Sequence, residues 1–360
     1  MAATRTNLRI KRHYSIIAHS PDVVELRYGV WNPISHTLTD ESKSGHLFSL
    51  LSGLDGSLSA SELAKREGVS REEVEALLDH LIQLGAVESG PSHALDHYLD
   101  NVVPTLGRST DREPERLSSI LIGDPLLTSE IRRYLELSLP QLELATPQPE
   151  DDILSALWRN DASPLTNTLA LQRLLPEFEA WRGSFLVVAM SVIQPLRLRL
   201  LNRICLELGV PWIHAVLDGP FLFVGPVFIP HQTACYDCLE TRVMMNLRES
   251  ASYQQYKNAL VEGRIRQATM PVEPVLGGLL ASHTAFEAMN FLLTQNAFTV
   301  GKVLAIYLPT MEFSFNEVLR VPGCSTCSPP VHEDRELYFD IRPFIGHPAQ
   351  RDGRVQNSAE

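Results

Sequence analysis

Cys235-Tyr-Asp-Cys238 and Cys324-Ser-Thr-Cys327 are two CxxC knuckles that hold four of the five cysteines in the chain. A CxxC loop sets two thiolates roughly 3.5–4 Å apart, the spacing tetrahedral zinc needs, and two such loops close a four-sulfur site. A closed site keeps no position for water, so the expected role is structural rather than catalytic. The competing readings are a pair of disulfides or a thioredoxin-like redox motif. One redox CxxC would leave the second pair unexplained.

Few other side chains look reactive. Cys205 is the lone unpaired cysteine and lies in the apolar stretch Leu201–Leu208, as a small buried residue does. His214 and His231 fall near strand ends and the first knuckle, where satisfied structural histidines are commoner than ligands. Glu273, in Pro271-Val-Glu-Pro274, reads as structural.

The composition frames the elements that must position these residues. The 360 residues suffice for two domains or three, and 44% apolar with 21% charged residues is ordinary for a folded soluble protein. No apolar run reaches about 18 residues, so no membrane span is expected. Met1–Arg12 is basic without an apolar core, unlike a secretory signal. Few cysteines, mostly in metal-type pairs, suit a reducing cytoplasm. A net charge of −12 argues against nucleic acid as the main partner.

The fold class expected is α/β, with a small α+β winged helix over 1–90 ahead of a parallel-sheet domain. Residues 11–18 and 23–28 read as strands joined at Ser20-Pro21-Asp22, with a third near Ser35–Leu38. Three helices follow. The first spans about Asp40–Leu51. The second starts at Ser59 or Ser61 and stops at Gly68. The third opens with Ser70 and Glu73 as a capping box and carries Val74, Leu77, Leu78, Leu81, Ile82 and Leu84 at helical spacing. Gly85 ends it, and 86–88 can return as a strand. The third helix begins Arg71-Glu72-Glu73-Val74-Glu75, an acidic face that would repel DNA phosphates. A small sheet with a free edge beside an apolar helix can instead accept a peptide as an added strand. A module for packing or dimerisation is the plainer alternative.

Asp22-Val-Val-Glu-Leu-Arg-Tyr-Gly29, Leu50-Leu-Ser-Gly-Leu-Asp-Gly56, Ser61-Glu-Leu-Ala64 and the leucines after Glu73 resemble the PqqD-like RiPP recognition element. That family binds the leader of a ribosomally made precursor peptide as a strand between sheet edge and third helix. The resemblance implies a groove lined by Val24, Leu26 and Tyr28 facing Leu77, His80, Leu81 and Leu84. A linker over 91–116 follows, with turn formers and charge in Ser89–Ser92 and Asp100–Glu115.

From 117 to 330 the chain alternates strands and helices, implying a parallel sheet with right-handed crossovers. Phe185–Met190 is a continuous apolar strand. Helix 195–208, a strand over 209–214, another near 221–224, and Gly225-Pro-Val-Phe-Ile-Pro230 lead into the first knuckle. Leu201-Asn202, Gly209-Val-Pro-Trp-Ile213, Val224–Pro230, Thr233–Arg242 and Gly323–Cys327 are similar to the ThiF/MoeB adenylating family, and the resemblance covers 117–328. It implies nucleotide chemistry, yet this chain departs from the pattern. The phosphate loop expected after the first strand reads Gly123-Asp124-Pro125-Leu126-Leu127. It keeps one glycine, loses a donor at proline and gains a negative charge. The acidic residue expected at the later strand end is replaced by Ala189-Met190-Ser191. Adenylation is therefore expected to be lost, and ATP is not expected as a cofactor of this chain. Arg197, Arg199 and Asn202 read either as remnants of the family's helix after the strand or, as is commoner on a helix surface, as solvated residues.

A leader-binding element fused to a degenerate ThiF-like domain resembles the partner protein of YcaO cyclodehydratases, of the C-protein or ocin-ThiF type. The resemblance implies precursor leader peptide and YcaO enzyme as partners, a homodimer, structural zinc, and presentation of Cys, Ser or Thr for azoline formation. The alternatives are an active ThiF-like enzyme with a divergent nucleotide site, and a zinc-containing winged-helix regulator. Residues 331–360 read as a tail with a disordered end.

Overall fold

The computed structural model describes residues 8–31, 34–89, 117–147, 162–268 and 271–328, with positions 95, 98, 106, 151 and 157. Most of the expected linker and the tail from 329 onward lie outside the described residues. The chain divides into two compact units, Met1–Arg108 and Ser109–Glu360.

In the first unit, β2 (Tyr14–Ser20), β3 (Val23–Tyr28) and β4 (Ser35–Thr39) form an antiparallel sheet with β3 in the centre. Alternation in β3 sends Val24 and Leu26 into a core with Leu38, Leu51, Leu63, Val74 and Leu81. Sequence reading missed β1 (Leu8–Ile10), which pairs with β5 (Val87–Ser89) through Leu8↔Ser89 and Ile10↔Val87. Its three residues are too few to show a period. They form a strand because Leu8 and Ile10 bury and Arg9 Nε meets Glu88 at 2.8 Å.

The helices are α1 (Leu47–Gly53), α2 (Ala60–Glu67) and α3 (Arg71–Gln83). The first starts well after the expected Asp40. The Asp40 carboxylate accepts the backbone N–H groups of Ser42 (2.9 Å) and Ser44 (3.0 Å), and Gly45 turns at φ 77°. Such local bonds compete with helix. Ser59 with Glu62, and Ser70 with Glu73, form reciprocal capping boxes. Ser70→Ala is expected to cost about 1 kcal/mol, read as a shift in the denaturation midpoint with unchanged m-value.

The second unit is built on a seven-stranded sheet in the order β12-β11-β10-β9-β8-β6-β7. Its elements run β6 (Ser118–Gly123), α4 (Pro125–Ser138), β7 (Glu143–Ala145), α5 (Ser163–Thr166), α6 (Thr168–Leu174), a 3-10 turn over Leu175–Trp181, β8 (Phe185–Met190), α7 (Pro195–Leu208), β9 (Trp212–Asp218), β10 (Phe221–Phe228), α8 (Tyr236–Asn246), α9 (Ser250–Val261), α10 (Pro274–Thr294), β11 (Lys302–Tyr307) and β12 (Glu312–Glu317). The strands β7, β6, β8 and β9 pair in parallel, whereas β9, β10, β11 and β12 pair antiparallel. The expectation of a wholly parallel sheet is thereby corrected. Only Gly219 and Pro220 join β9 to β10, a link that can close a hairpin but not a crossover.

Every residue of β8 is buried, as its continuous apolar run requires. Trp212 stacks on Phe228 at 4.4 Å in the same core. Helix α10 lies against α4, β8, β9 and β10. Gly277 permits that approach, because a Cβ there would sit 2.8 Å from Leu126 Cδ2. Glu273 caps α10 by accepting the Leu276 N–H at 3.0 Å, the structural role expected of it. Among the described residues no helix is long and apolar enough to cross a membrane.

Candidate functional site: a four-cysteine centre and a strand switch point

The backbone brings the two knuckles together from distant parts of the chain. Cys235 is the N-cap of α8 and Cys238 lies in its first turn. Cys324 and Cys327 lie in a turn after β12, where the Cys324 N–H donates to Val321 O at 3.1 Å and the Ser328 N–H to Cys324 O at 3.0 Å. The sulfur of Cys235 stands 3.8 Å from that of Cys238 and 3.8 Å from that of Cys324, and Cys238 stands 3.5 Å from Cys327. All four ligand atoms lie within 4.8 Å of one another. A tetrahedron with metal–sulfur bonds of about 2.3 Å has edges of about 3.8 Å. The donor set therefore fits a four-coordinate metal ion. Cys235, Cys238 and Cys327 are buried and Cys324 is half-buried. The Val321 N–H donates to Cys238 Sγ at 3.3 Å.

Outer contacts tie the knuckles to each other. Arg242 donates to the carbonyls of Leu319 (2.6 Å) and Arg320 (3.2 Å), and Arg320 donates to those of Thr233 (2.9 Å) and His231. His231 is itself exposed. The Thr326 hydroxyl donates to the Asp237 carboxylate.

Beside the centre lies a charged network that sequence reading missed. Arg199 meets Asp237 at 2.8 Å and Glu240 at 3.8 Å; Lys257 meets Glu240 at 3.4 Å; the Tyr253 hydroxyl donates to Glu240 at 2.8 Å. It pins α7, α8 and α9 together. The reading of Arg199 and Asn202 as solvated is corrected. Asn202 is buried and its Oδ1 accepts the Tyr236 N–H at 3.0 Å, while Arg199 is held by two carboxylates. The only sequence signal for this was charge at helical spacing on α8, which also reads as a solvated face.

Cys205 is fully buried and burial pushes its thiol well above the ordinary range, so it is no nucleophile. His214 is buried too, with Nδ1 3.2 Å from Gly225 O. Burial lowers its pKa from 6.5 to about 4. The folded chain therefore resists protonating His214 while the unfolded chain accepts the proton. Stability from this group is full above pH 6.5 and is lost as pH falls toward 4. His214→Gln is expected to show a flatter loss of stability across that window, measured by denaturation at several pH values.

The other site of interest is the end of the parallel strands. After β6 the chain moves to β7 on one side and then to β8 on the other, which makes the β6–β8 boundary the switch point where ligands sit in open α/β sheets. There Gly123 pairs with Ala189, the last rung between the two strands. Gly123, at φ 135°, lies so near β8 that a Cβ would be 1.7 Å from Ala189 O. The Asp124 N–H donates to Ala189 O at 2.9 Å, and the Ser191 N–H donates to the Asp124 carboxylate. No side chain caps α4.

In the first unit, the expected groove residues separate by burial. Val24, Leu26 and Leu81 are fully buried in the core and cannot touch a peptide in this conformation. Tyr28, Leu77 and Leu84 are half-buried and His80 is exposed. The free edges belong to β2 and β4, since β3 is paired on both sides.

A mixed α/β unit with a four-cysteine centre is thus joined to a small α+β unit. No protein-family model matches the chain, and no curated protein matches it. Solved structures do. The chain is similar to the heterocyclase TruD (TM-score 0.61, 20% identity, 90% of this chain and 43% of that one). A heterocyclase in complex with substrate and cofactor gives TM-score 0.62 and 17% identity, covering 90% and 40%. Escherichia coli MccB with ATP gives 0.50 and 11%, covering 89% and 99%. At these identities the likeness establishes the fold. The chain spans about two fifths of the length of the two heterocyclases.

Proposed function

We propose that this protein captures the leader of a ribosomal precursor peptide with a winged-helix recognition element in its first unit. It then presents the core peptide to a separate YcaO cyclodehydratase for thiazoline or oxazoline formation. Zinc in the four-cysteine centre holds the second unit, and no adenylation occurs in this chain. The observation that carries the reading is the likeness to heterocyclases across 90% of this chain, one of them solved in complex with substrate and cofactor. The expected site of action is cytoplasmic.

The leader would add to a free sheet edge, with Tyr28, Leu77, His80 and Leu84 within its reach. Main-chain bonds would give affinity and side-chain pockets specificity. The test is fluorescence polarisation of a labelled leader peptide from an adjacent precursor. Leu77→Asp, with circular dichroism unchanged, is expected to weaken binding about tenfold or more, since a carboxylate in an apolar groove costs at least 1.4 kcal/mol. Binding that survives both Leu77→Asp and Leu84→Asp would sink the groove assignment.

The near-complete coverage of MccB, a protein solved with ATP, favours a second reading as an active adenylating enzyme. ATP–pyrophosphate exchange by the purified chain would support it. The Asp124 carboxylate at the start of α4, where a phosphate would need backbone N–H groups, speaks against it.

A further inference from the structure

The second unit holds an open cavity of about 850 Å³ that neither the four-cysteine centre nor the switch point uses. That volume falls within the roughly 300–1,000 Å³ of ordinary small-ligand sites. Leu165, Leu200, Leu260 and Ile265 wall it, from α5, α7, α9 and the segment after α9. Gln194 and Gln267 each bring a carboxamide, and Arg197 a guanidinium. Among the described residues around the cavity Arg197 is the charged one, so the cavity is cationic in a chain whose net charge is −12.

Bonds made elsewhere hold the walls in place. Arg203 donates to the carbonyls of Pro164 (3.2 Å) and Leu165, which fixes α5 on α7. The bridges of Glu240 to Arg199 and Lys257 fix α9 near the same helix. The Arg264 N–H donates to Ala259 O at 2.8 Å and turns the chain from α9 toward Ile265. Arg197 is half-buried, and burial lowers its pKa. An anion meeting it against an apolar wall is screened less than one in open water.

A guanidinium grips a carboxylate through two parallel N–H···O bonds. A carboxamide offers a donor and an acceptor, as a peptide group needs. The leucine walls suit an apolar body. One positive charge matches a carboxylate and leaves the second charge of a phosphate unmatched. We propose that this cavity binds the carboxylate end of an apolar peptide, with Arg197 on the carboxylate and Gln194 and Gln267 on the amide behind it. A free apolar acid carries the same carboxylate but lacks the amide, and the two glutamines favour the peptide. The site lies wholly in the second unit and does not depend on leader capture by the first.

The test titrates the full chain with acetyl-Leu-Leu, its C-terminal amide and octanoate, followed by ligand-observed NMR. The dipeptide acid is expected to bind below millimolar concentration, and its amide about tenfold more weakly or worse, since a charge-assisted bond is lost. Arg197→Met is expected to weaken the acid by the same factor and to leave the amide unchanged. Arg197→Lys, which keeps the charge without the fork, is expected to lie between. Val261→Trp, at a rim position 52% exposed, is expected to block acid and amide alike by filling the mouth. Octanoate binding as tight as the dipeptide's would overturn the role given to the glutamines and leave a site for free acids. Acid and amide bound equally well would overturn the role of Arg197. No binding by the wild type, or full affinity in both Val261→Trp and a folded Arg197 variant, would overturn the site. The leader-presenting reading would survive either result, because its test falls on Leu77 and Leu84 of the first unit.

Discussion

Cys238→Ser is expected to strip the second unit of its metal and to unfold that unit. Cys238 is fully buried, stands 3.8 Å and 3.5 Å from Cys235 and Cys327, and accepts the Val321 N–H at 3.3 Å. Apparent zinc binding by closed thiolate sites reaches about 10 kcal/mol in peptides. That is comparable to the roughly 5–15 kcal/mol that separates a folded domain from its unfolded chain. The knuckles join segments 89 residues apart in the chain, so the metal would close a long loop. Elemental analysis of the purified wild type is expected to give one zinc per chain, and the variant none. The variant should lose its cooperative thermal transition or melt far lower. Thiolates must shed protons to bind, and burial holds the Cys235 thiol above its ordinary range in the metal-free fold. Zinc is therefore expected to leave as pH falls. An unchanged melting curve in a zinc-free Cys238→Ser chain would refute a structural role.

The second large effect is expected from Glu240→Leu. Glu240 is the shared acceptor of Lys257, Tyr253 and Arg199, and the side chains of Glu240 and Lys257 are 8% and 10% exposed. Removing the carboxylate leaves a buried ammonium whose remaining contacts are Met244 Sδ at 3.5 Å and the Tyr253 ring. Breaking a buried pair from one side costs about 3–5 kcal/mol, whereas replacing both partners with apolar groups is often neutral. Glu240→Leu should therefore be severely destabilised, and Glu240→Leu/Lys257→Met should recover most of the loss. Chemical denaturation of the two single variants and the double gives the coupling directly. Additive losses would mean that the pair is not coupled.

Both predictions turn on groups that the sequence treats very differently. The cysteines were legible at once, because a thiolate pair at CxxC spacing has few uses and two pairs complement each other. Asp237 and Glu240 were not. On a linear reading they are two acids on a helix, and only the packing of α7 and α9 against that helix reveals that they are inside. Helix α8 escaped notice for the same reason, since its inner face carries these acids instead of an apolar stripe. In the first unit, helical spacing located α3 but could not tell groove from core. Val74, Leu77, Leu78, Leu81 and Leu84 share a period, and burial alone sorts fully enclosed Leu81 from half-buried Leu77 and Leu84.

Local chemistry written in the chain determined the cap at Ser70, the buried strand 185–190, the helix stop at Gly68, and the membership of the four-sulfur centre. These follow from interactions a few residues long, or from donor types with narrow chemistry. The tertiary structure decided what depends on partners distant in sequence. It paired β1 with β5 and turned half of the large sheet antiparallel through a two-residue link. It buried Asn202, drew Arg199 onto two carboxylates, and turned the Asp124 carboxylate from its own helix to the Ser191 N–H. Each of those outcomes is set by the neighbour that arrives from elsewhere in the chain, and a residue's own type carries no record of that neighbour.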